Sequence, residues 1–401
     1  MKRVVFALIS LSLVGASAVL TRGGAHGLTN RPAASVSFAK AITLNSPVLF
    51  PYSIAAGDLT HNGIPDLTVV GVETPALFHA LGKGNGHFGR WSNKGGTGDA
   101  PGFVVMADVD LDGNLDAVTT DGDQPFVTVA FGDGKGHFNR GVQPHTGKGF
   151  ATQQVAVADL NGDGIPDLVG TSFGLPNNPG GIFILLGKGN RKFAKAVNIG
   201  SGGHQPVGIA VGDLNHDGIP DLVVANWGQD AGPYGNLAVL LGKGDGTFSR
   251  PVVYPAGIHP YQLVLGDFNG DGNLDVAVTS NLDVRVFLGK GDGSLSKGTA
   301  YFAGQFPVSI ATADFNGDGI PDLVVSNYTN PKPCHASVLL GNGDGTFQNP
   351  VHFHVGVSPL QVVTAGFNHD GKPDIATINN GDSTISILLN TTPFPAARAA
   401  H

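Results

Sequence analysis

The chain has 401 residues, and its 61 Gly and 26 Pro make more than a fifth of its positions unfavourable to helix. The formal net charge is −8, hydrophobic residues make up 41 % of the chain, and no Lys/Arg run exceeds two residues. Long helical bundles, binders of nucleic acid with a basic stripe, and intrinsically disordered chains are thereby excluded, leaving an all-β chain of short strands. The acids are lopsided: Glu73 is the one glutamate among 31 acidic residues. Aspartate prefers turns, caps and metal loops, so carboxylates are expected in specific loops rather than on solvated helices.

At the amino terminus, Lys2 and Arg3 precede an apolar run from Val4 to Val14 and the small-residue triplet Ala16-Ser17-Ala18. This pattern predicts an export signal over residues 1–18, cleaved after Ala18, then a linker over 19–36. The expected location is secreted, periplasmic or extracellular, with no membrane span after cleavage. Cys334, the single cysteine, allows no internal disulfide and is expected in an exposed loop.

From residue 58 onward a nine-residue pattern, D-x-N/D-x-D-G-x-x-D, recurs at starting intervals of 50, 51, 54, 54, 47 and 52 residues. Five copies are intact: Asp108 to Asp116, Asp159 to Asp167, Asp213 to Asp221, Asp267 to Asp275 and Asp314 to Asp322. Two are eroded, DLTHNGIPD from Asp58 to Asp66 and GFNHDGKPD from Gly366 to Asp374. Each follows a small-residue apolar run and precedes a β-branched run, as Gly208 to Val211 and Leu222 to Ala225 do around the fourth copy. A third apolar run ending in Leu-Gly-x-Gly and a weaker fourth complete each unit. Four short strands per unit, seven times over, predict a seven-bladed β-propeller over residues 37–390, with a tail over 391–401.

The seventh unit stops after its third strand, Ser383 to Leu389, whereas Phe38 to Leu44 (FAKAITL) precedes the first unit at a fourth-strand position. An N-terminal strand completing the last blade is therefore expected to close the ring and remove open sheet edges.

A hard divalent cation takes six to eight oxygens, which loop side chains at positions 1, 3, 5 and 9 and a backbone carbonyl at position 7 can supply. The expected ligands are Asp108, Asp110, Asp112, Asn114 and Asp116; Asp159, Asn161, Asp163, Ile165 and Asp167; Asp213, Asn215, Asp217, Ile219 and Asp221. They continue with Asp267, Asn269, Asp271, Asn273 and Asp275, and with Asp314, Asn316, Asp318, Ile320 and Asp322. Weaker sets are Asp58 and Asp66, where Thr60 and Asn62 replace stronger ligands, and Asn368, Asp370 and Asp374. Flexible all-oxygen loops favour Ca2+ over magnesium or zinc, at five to seven sites. An EF-hand is excluded, because position 12 is Gly170, Val224, Val278 or Val325 rather than Glu and the flanks are strands. Position-4 histidines His61, His216 and His369 are expected to point outward.

With these loops and the Leu-Gly-x-Gly-x-Gly turns at Leu81, Leu241, Leu288 and Leu340, varied at Phe131 and Leu186, the chain resembles the FG-GAP repeat family of integrin alpha subunits and secreted bacterial proteins. The resemblance implies that calcium loops join strands one and two on one face. Loops joining strands two to three and four to one then form the opposite, ligand-binding face.

No H-E-x-x-H, G-x-S-x-G or Walker-type motif appears. Blades differ most in the two-to-three loops Ser172 to Gly181, Asn226 to Asn236 with Trp227 and Tyr234, and Asn327 to His335 with Tyr328. The neighbouring four-to-one loops add His204, Gln205, His259, Tyr261, Gln305 and Phe306. Exposed aromatics at Trp227, Tyr234, Tyr328 and Tyr261, with His204 and His259, suit stacking on sugars or anchoring a protein. The expected function is a non-catalytic, monomeric, calcium-stabilised binding or adhesion module for extracellular protein or carbohydrate, with no nucleic-acid partner. The rival is an extracellular polysaccharide-acting enzyme using residues such as Asp230 and His259; a structural coat component is a third reading.

Overall fold

The computed structural model describes residues 35–93, 100–147, 151–175, 178–228, 234–329 and 334–394. The expected signal, most of the linker and Asp230 lie outside them.

Every regular element among the described residues is a β-strand, and the strands form seven sheets. Six sheets have four strands, every pairing is antiparallel, and in blades one to six the strands follow one another as a meander. Blade four is representative: Pro206–Gly212, Asp221–Asn226, Tyr234–Leu240 and Val252–Ile258 pair in that order. First strands of successive blades contact one another right around the ring, and Pro51–Gly57 of blade one meets Pro359–Ala365 of blade seven. Seven sheets thus stand around a central channel.

Sequence and burial agree along the radius. Second strands such as Asp221–Asn226 (DLVVAN) are buried at every residue, because blades on both sides cover them, and a continuous apolar run is what two covered faces require. The core accordingly lies between blades: Val169, Ile182 and Ile184 of blade three pack with Ile209, Leu222 and Val224 of blade four. Fourth strands are wetter, as in Val351–His354.

In blade seven the fourth strand is Ile42–Asn45, antiparallel to Thr384–Leu388, with an isolated bridge from Phe38 to Asn390. Thr391 N–H donates to the Ser37 carbonyl at 2.9 Å, and Ser37 N–H donates to Thr392 Oγ1 at 3.0 Å, so described residues of both chain ends meet in one sheet.

Two expectations need correction. Among the described residues blade one has three strands, and in place of a fourth only the bridge His79–Ser92 continues the sheet beyond the turn bridge Gly82–Phe88. Gly89-Arg90-Trp91-Ser92 offers no β-branched residue to extend it. The segment Ser172 to Gly181 is a hairpin rather than a loop, since Ser172 pairs with Gly181 and Leu175 with Asn178.

Candidate functional site

All seven nine-residue loops join a first strand to a second, and meander alternation puts them at the same end of every sheet. Loop three shows how they fold. Asp159 Oδ1 accepts N–H from Gly162 at 2.8 Å and from Asp163 at 3.2 Å, while Oδ2 accepts from Gly164 at 2.8 Å. Asn161 Oδ1 accepts from Asp163 N–H at 3.1 Å, and Asp163 Oδ1 accepts from Ile165 N–H at 2.8 Å. Each short acidic side chain thereby stabilises the bend that brings the next one round. Gly164 at position 6 has φ 78°, a left-handed conformation that glycine adopts without strain.

The position-9 aspartate has a second task that the spacing did not reveal. Asp221 begins the second strand fully buried; Oδ2 accepts from Leu214 N–H at 2.9 Å and Oδ1 from Gly242 N–H at 2.8 Å. The carboxylate therefore ties its own loop to the third-strand turn. Gly242 must be glycine, since a Cβ there would meet the Pro220 carbonyl oxygen at 2.3 Å. The same pair of bonds recurs at Asp66, Asp116, Asp167, Asp275, Asp322 and Asp374, where Asn390 replaces the glycine in blade seven. The readable signal was the recurrence of a position-9 Asp with a third-strand turn, Leu-Gly in five blades, Phe-Gly in blade two and Leu-Asn in blade seven.

Burial raises the position-9 acids: Asp116 and Asp322 to about 7, Asp275 and Asp374 to about 6. Backbone N–H bonds oppose this, and neighbouring loop carboxylates add to it. In loop two, Asp108, Asp110 and Asp116 each offer an oxygen within 4.8 Å of the others, the one such acidic cluster among the described residues. An all-oxygen donor set of this kind fits a hard divalent cation.

Position-4 histidines link blades. His61 Nε2 lies 2.9 Å from Asn114 Oδ1, and His216 Nε2 lies 2.8 Å from Asn273 Oδ1, each reaching the next blade's loop. The side chains of Asn114 and Asn273 are thus engaged, leaving the backbone carbonyl as their position-7 donor.

Two-to-three and four-to-one loops occupy the opposite end of the sheets. Trp227 packs at 4.6 Å from His259 and 4.7 Å from Tyr261, measured between ring centroids. The expectation of an exposed ring fails at Tyr261, which is 9 % exposed because it enters the core between blades four and five, and Trp227 is half-buried. Tyr234 is 76 % exposed, and His204 and Tyr328 are exposed, while His259 is half-buried with its Nδ1 accepting from Asn281 Nδ2 at 3.0 Å. Cys334 is buried, not exposed, and its Sγ donates to the Thr329 carbonyl at 3.1 Å.

Three features of this face were missed. Phe50, Gln205, His259, Phe306 and Ser358, each just before a proline, have φ between 48° and 54°. That strained conformation, costing of order 1–3 kcal/mol each, aims backbone carbonyls at the neighbouring loop: Trp227 N–H donates to Gln205 O and Tyr328 N–H to Phe306 O. Leu49, Phe50, Leu282 and Phe302 add exposed apolar surface. Tyr52 of blade one is buried; burial first, then the Tyr261 and Tyr328 phenols, push its hydroxyl well above its ordinary value.

Comparison with known proteins follows this geometry. The FG-GAP-like repeat model matches residues 108–170, 172–224, 227–278 and 267–325, and the FG-GAP repeat model matches 306–346. Integrin alpha-PS5 of Drosophila melanogaster is 31 % identical over 144 residues, which is 31 % of this chain and 14 % of the integrin. Human integrin alpha-6 is 30 % identical over 154 residues, or 35 % of this chain and 13 % of that protein. The matched region thus spans about one seventh of either integrin. Among solved structures, an Agrocybe aegerita lectin that recognises non-reducing terminal N-acetylglucosamine has a TM-score of 0.52 at 20 % identity, covering 82 % of this chain and 85 % of the lectin. BBS1N, solved in complex with ARL6DN, has a TM-score of 0.58 at 14 % identity, covering 91 % of this chain and 98 % of its own. The family models match more than half of the chain, which belongs to the FG-GAP repeat family.

Proposed function

We propose that this protein is an exported, calcium-stabilised propeller that binds an extracellular protein or carbohydrate through the face opposite its acidic loops, without catalysis. The observation that carries the reading is the contrast between the two faces. Seven near-uniform acidic loops occupy one, and exposed Tyr234, Tyr328, Phe50 and Phe306 on strained or variable loops occupy the other. Exposed aromatic and apolar side chains on rigid blades are the usual anchors of a partner.

Calcium would be held by the position-1, -3, -5 and -9 oxygens, and it supplies the positive charge that offsets the crowded carboxylates. With a dissociation constant of ~0.1–1 mM and ~1 mM free calcium, each site adds roughly 0.4–1.4 kcal/mol of stability. A cavity of about 450 Å3 opens against the first strands of blades one to four, lined by Ala56, Val105, Met106, Val157 and Ile209, with Asp58 its one carboxylate. No helix among the described residues is long and apolar enough to cross a membrane.

Elemental analysis after dialysis against calcium, melting curves with calcium or chelator, and a glycan and matrix-protein array test the reading together. Bound calcium, a melting temperature lowered by chelator and saturable binding without turnover are expected. Product formation from a polysaccharide would favour an enzyme instead.

A further inference from the structure

Blade six carries a cluster unlike anything at the corresponding positions of blades four and seven. Its third strand, His335–Leu339, pairs with its fourth, Val351–His354, so that His335 lies opposite His354 and Ser337 opposite His352. Strand alternation sends these four side chains to one face. Phe353 takes the other and packs on Phe38 at 4.9 Å. The equivalent cross-strand pairs are Asn236–Pro255 and Ala238–Val253 in blade four, and Thr384–Asn45 and Ser386–Thr43 in blade seven.

The His335 ring centroid lies 5.2 Å from that of His352 and 4.9 Å from that of His354. Around a tetrahedral ion with metal–nitrogen bonds of about 2.0–2.1 Å, the centres of imidazole ligands fall about 5 Å apart. In this structure the rings are tilted by 40° and 37° against His335, and no choice of one nitrogen from each ring brings all three within 4.8 Å of one another. His354 is exposed and His335 half-buried, so convergence requires their side chains to turn toward His352, which keeps its bond to Ser337.

A buried polar chain fixes one tautomer. Asn327 Nδ2 donates to the Ala303 carbonyl at 2.9 Å, which turns Oδ1 toward Ser337. Ser337 Oγ gives its proton to that Oδ1 at 2.5 Å and must then accept at 2.7 Å from Nδ1–H of His352. Nε2 of His352 keeps its lone pair. A metal-binding imidazole is commonly oriented by just such a hydrogen bond on its other nitrogen.

We propose that His335, His352 and His354 form a site for a transition-metal cation of the zinc class, separate from the acidic loops and with its fourth position open to solvent. Three neutral imidazoles prefer such an ion, whereas calcium prefers oxygen.

The test is a titration of the full chain with zinc near neutral pH, in ~20 mM calcium so that oxygen loops with millimolar or tighter affinity are nearly saturated. Cobalt(II) serves as a coloured substitute. One tightly bound zinc per chain and a tetrahedral cobalt spectrum are expected. H335Q and H354Q should each weaken binding at least tenfold, and S337A about tenfold through loss of the oriented tautomer. Acidification to about pH 5.5 should release the ion as the imidazoles protonate. Failure of the unmodified protein to bind stoichiometric zinc overturns the proposal. So does undiminished affinity in the H335Q/H352Q/H354Q protein with its calcium-dependent melting intact. Neither result bears on whether the acidic loops bind calcium.

Discussion

Arg191, in the third-strand turn of blade three, donates through Nε to Asp110 Oδ2 in the acidic loop of blade two at 2.5 Å. Its guanidinium carbon sits 4.3 Å from the centroid of the Phe131 ring. In five other blades this turn position is glycine, whose N–H donates to the preceding blade's position-2 carbonyl, as Gly246 does to Leu160 and Gly293 to Leu214. Those glycines approach a leucine of the preceding turn, such as Leu186 or Leu241, where blade two instead has Phe131. Loop two also has Asp110 where the other four intact loops have Asn. An extra carboxylate, an arginine and an aromatic ring thus form one local replacement for the glycine–leucine contact.

Replacing that cation should separate loop two from its siblings. R191Q removes a cation–π contact and a partly exposed ion pair, together about 1 kcal/mol. In chelator the variant should melt lower than the parent. Its loop-two calcium affinity should rise, because Asp110 is freed and the opposing charge is gone. Calorimetric titration compared with D110N measures the second effect, and unchanged affinity would show that Arg191 serves packing only.

Position-5 and position-9 aspartates should behave differently although both belong to the expected ligand set. Asp217 lies in the exposed bend, so D217N should lower the melting temperature in calcium and do little in chelator. Asp221 is buried and accepts from two backbone N–H groups, so D221N turns an amide NH2 toward a donor and costs roughly 1–3 kcal/mol in either condition. Equal losses for D221N and D217N in chelator would remove the structural role of position 9.

The repeat, its register and the blade count were legible because identical backbone demands recur: glycine at left-handed bends, aspartate at capped turns, β-branched residues where two blades cover a strand. Differences between blades were less readable. His61 and Asn114 are 53 positions apart, so nothing local marks their contact at 2.9 Å. The strained residues at Phe50 and His259 escaped because only the following proline hints at a corner, and proline ordinarily favours extended backbone before it. Tyr261 looked like a loop residue and is a wall of the core, since the four-to-one connection dips inward before its strand begins.

Burial sets the pH response of the cation-free protein. A carboxyl raised in the folded state contributes stability that is complete below its unfolded value near 4 and lost as pH rises through the folded value. Asp116 and Asp322 at about 7, with Asp275 and Asp374 at about 6, therefore make chelated protein less stable between about pH 5 and 7.5. His335 and His352 are lowered and act oppositely, but they are two groups against seven raised aspartates. On the proposed reading calcium would bind the ionised form, so it should abolish or reverse the trend. Melting temperatures across that range with and without chelator decide it, and a chelated protein that gains stability toward pH 7.5 contradicts the argument.

The strand Ile42–Asn45 supplies the outer edge of blade seven, while Phe38 packs at 5.8 Å from Phe315 of blade six. Deleting residues 36–45 should expose the Thr384–Leu388 edge and leave Phe315 and Phe353 without their aromatic neighbour. Oligomers on sizing chromatography, or loss of a single unfolding transition, are expected. A monomeric deletion variant of parental stability would show that the pairing is dispensable.

On the face opposite the acidic loops, exposure sorts the aromatic residues into two kinds of variant. Tyr234 and Phe306, at 76 % and 52 % exposure, touch little that folding depends on, so alanine there should leave melting unchanged. If either is an anchor, its loss costs about 2 kcal/mol of binding, roughly thirtyfold in affinity. Tyr261, buried and packed against Trp227 among Val207, Leu237 and Ala256, belongs to the core, and Y261A should cost about 3 kcal/mol of stability. Trp227 stands between the two groups, with one ring face on Tyr261 and a half-exposed surface. W227A should therefore lower both stability and affinity. Measuring melting and binding on the same four proteins, with whichever array ligand the parent retains, separates anchor from wall. Unchanged affinity in Y234A, F306A and W227A alike would place the ligand on some other surface of the propeller.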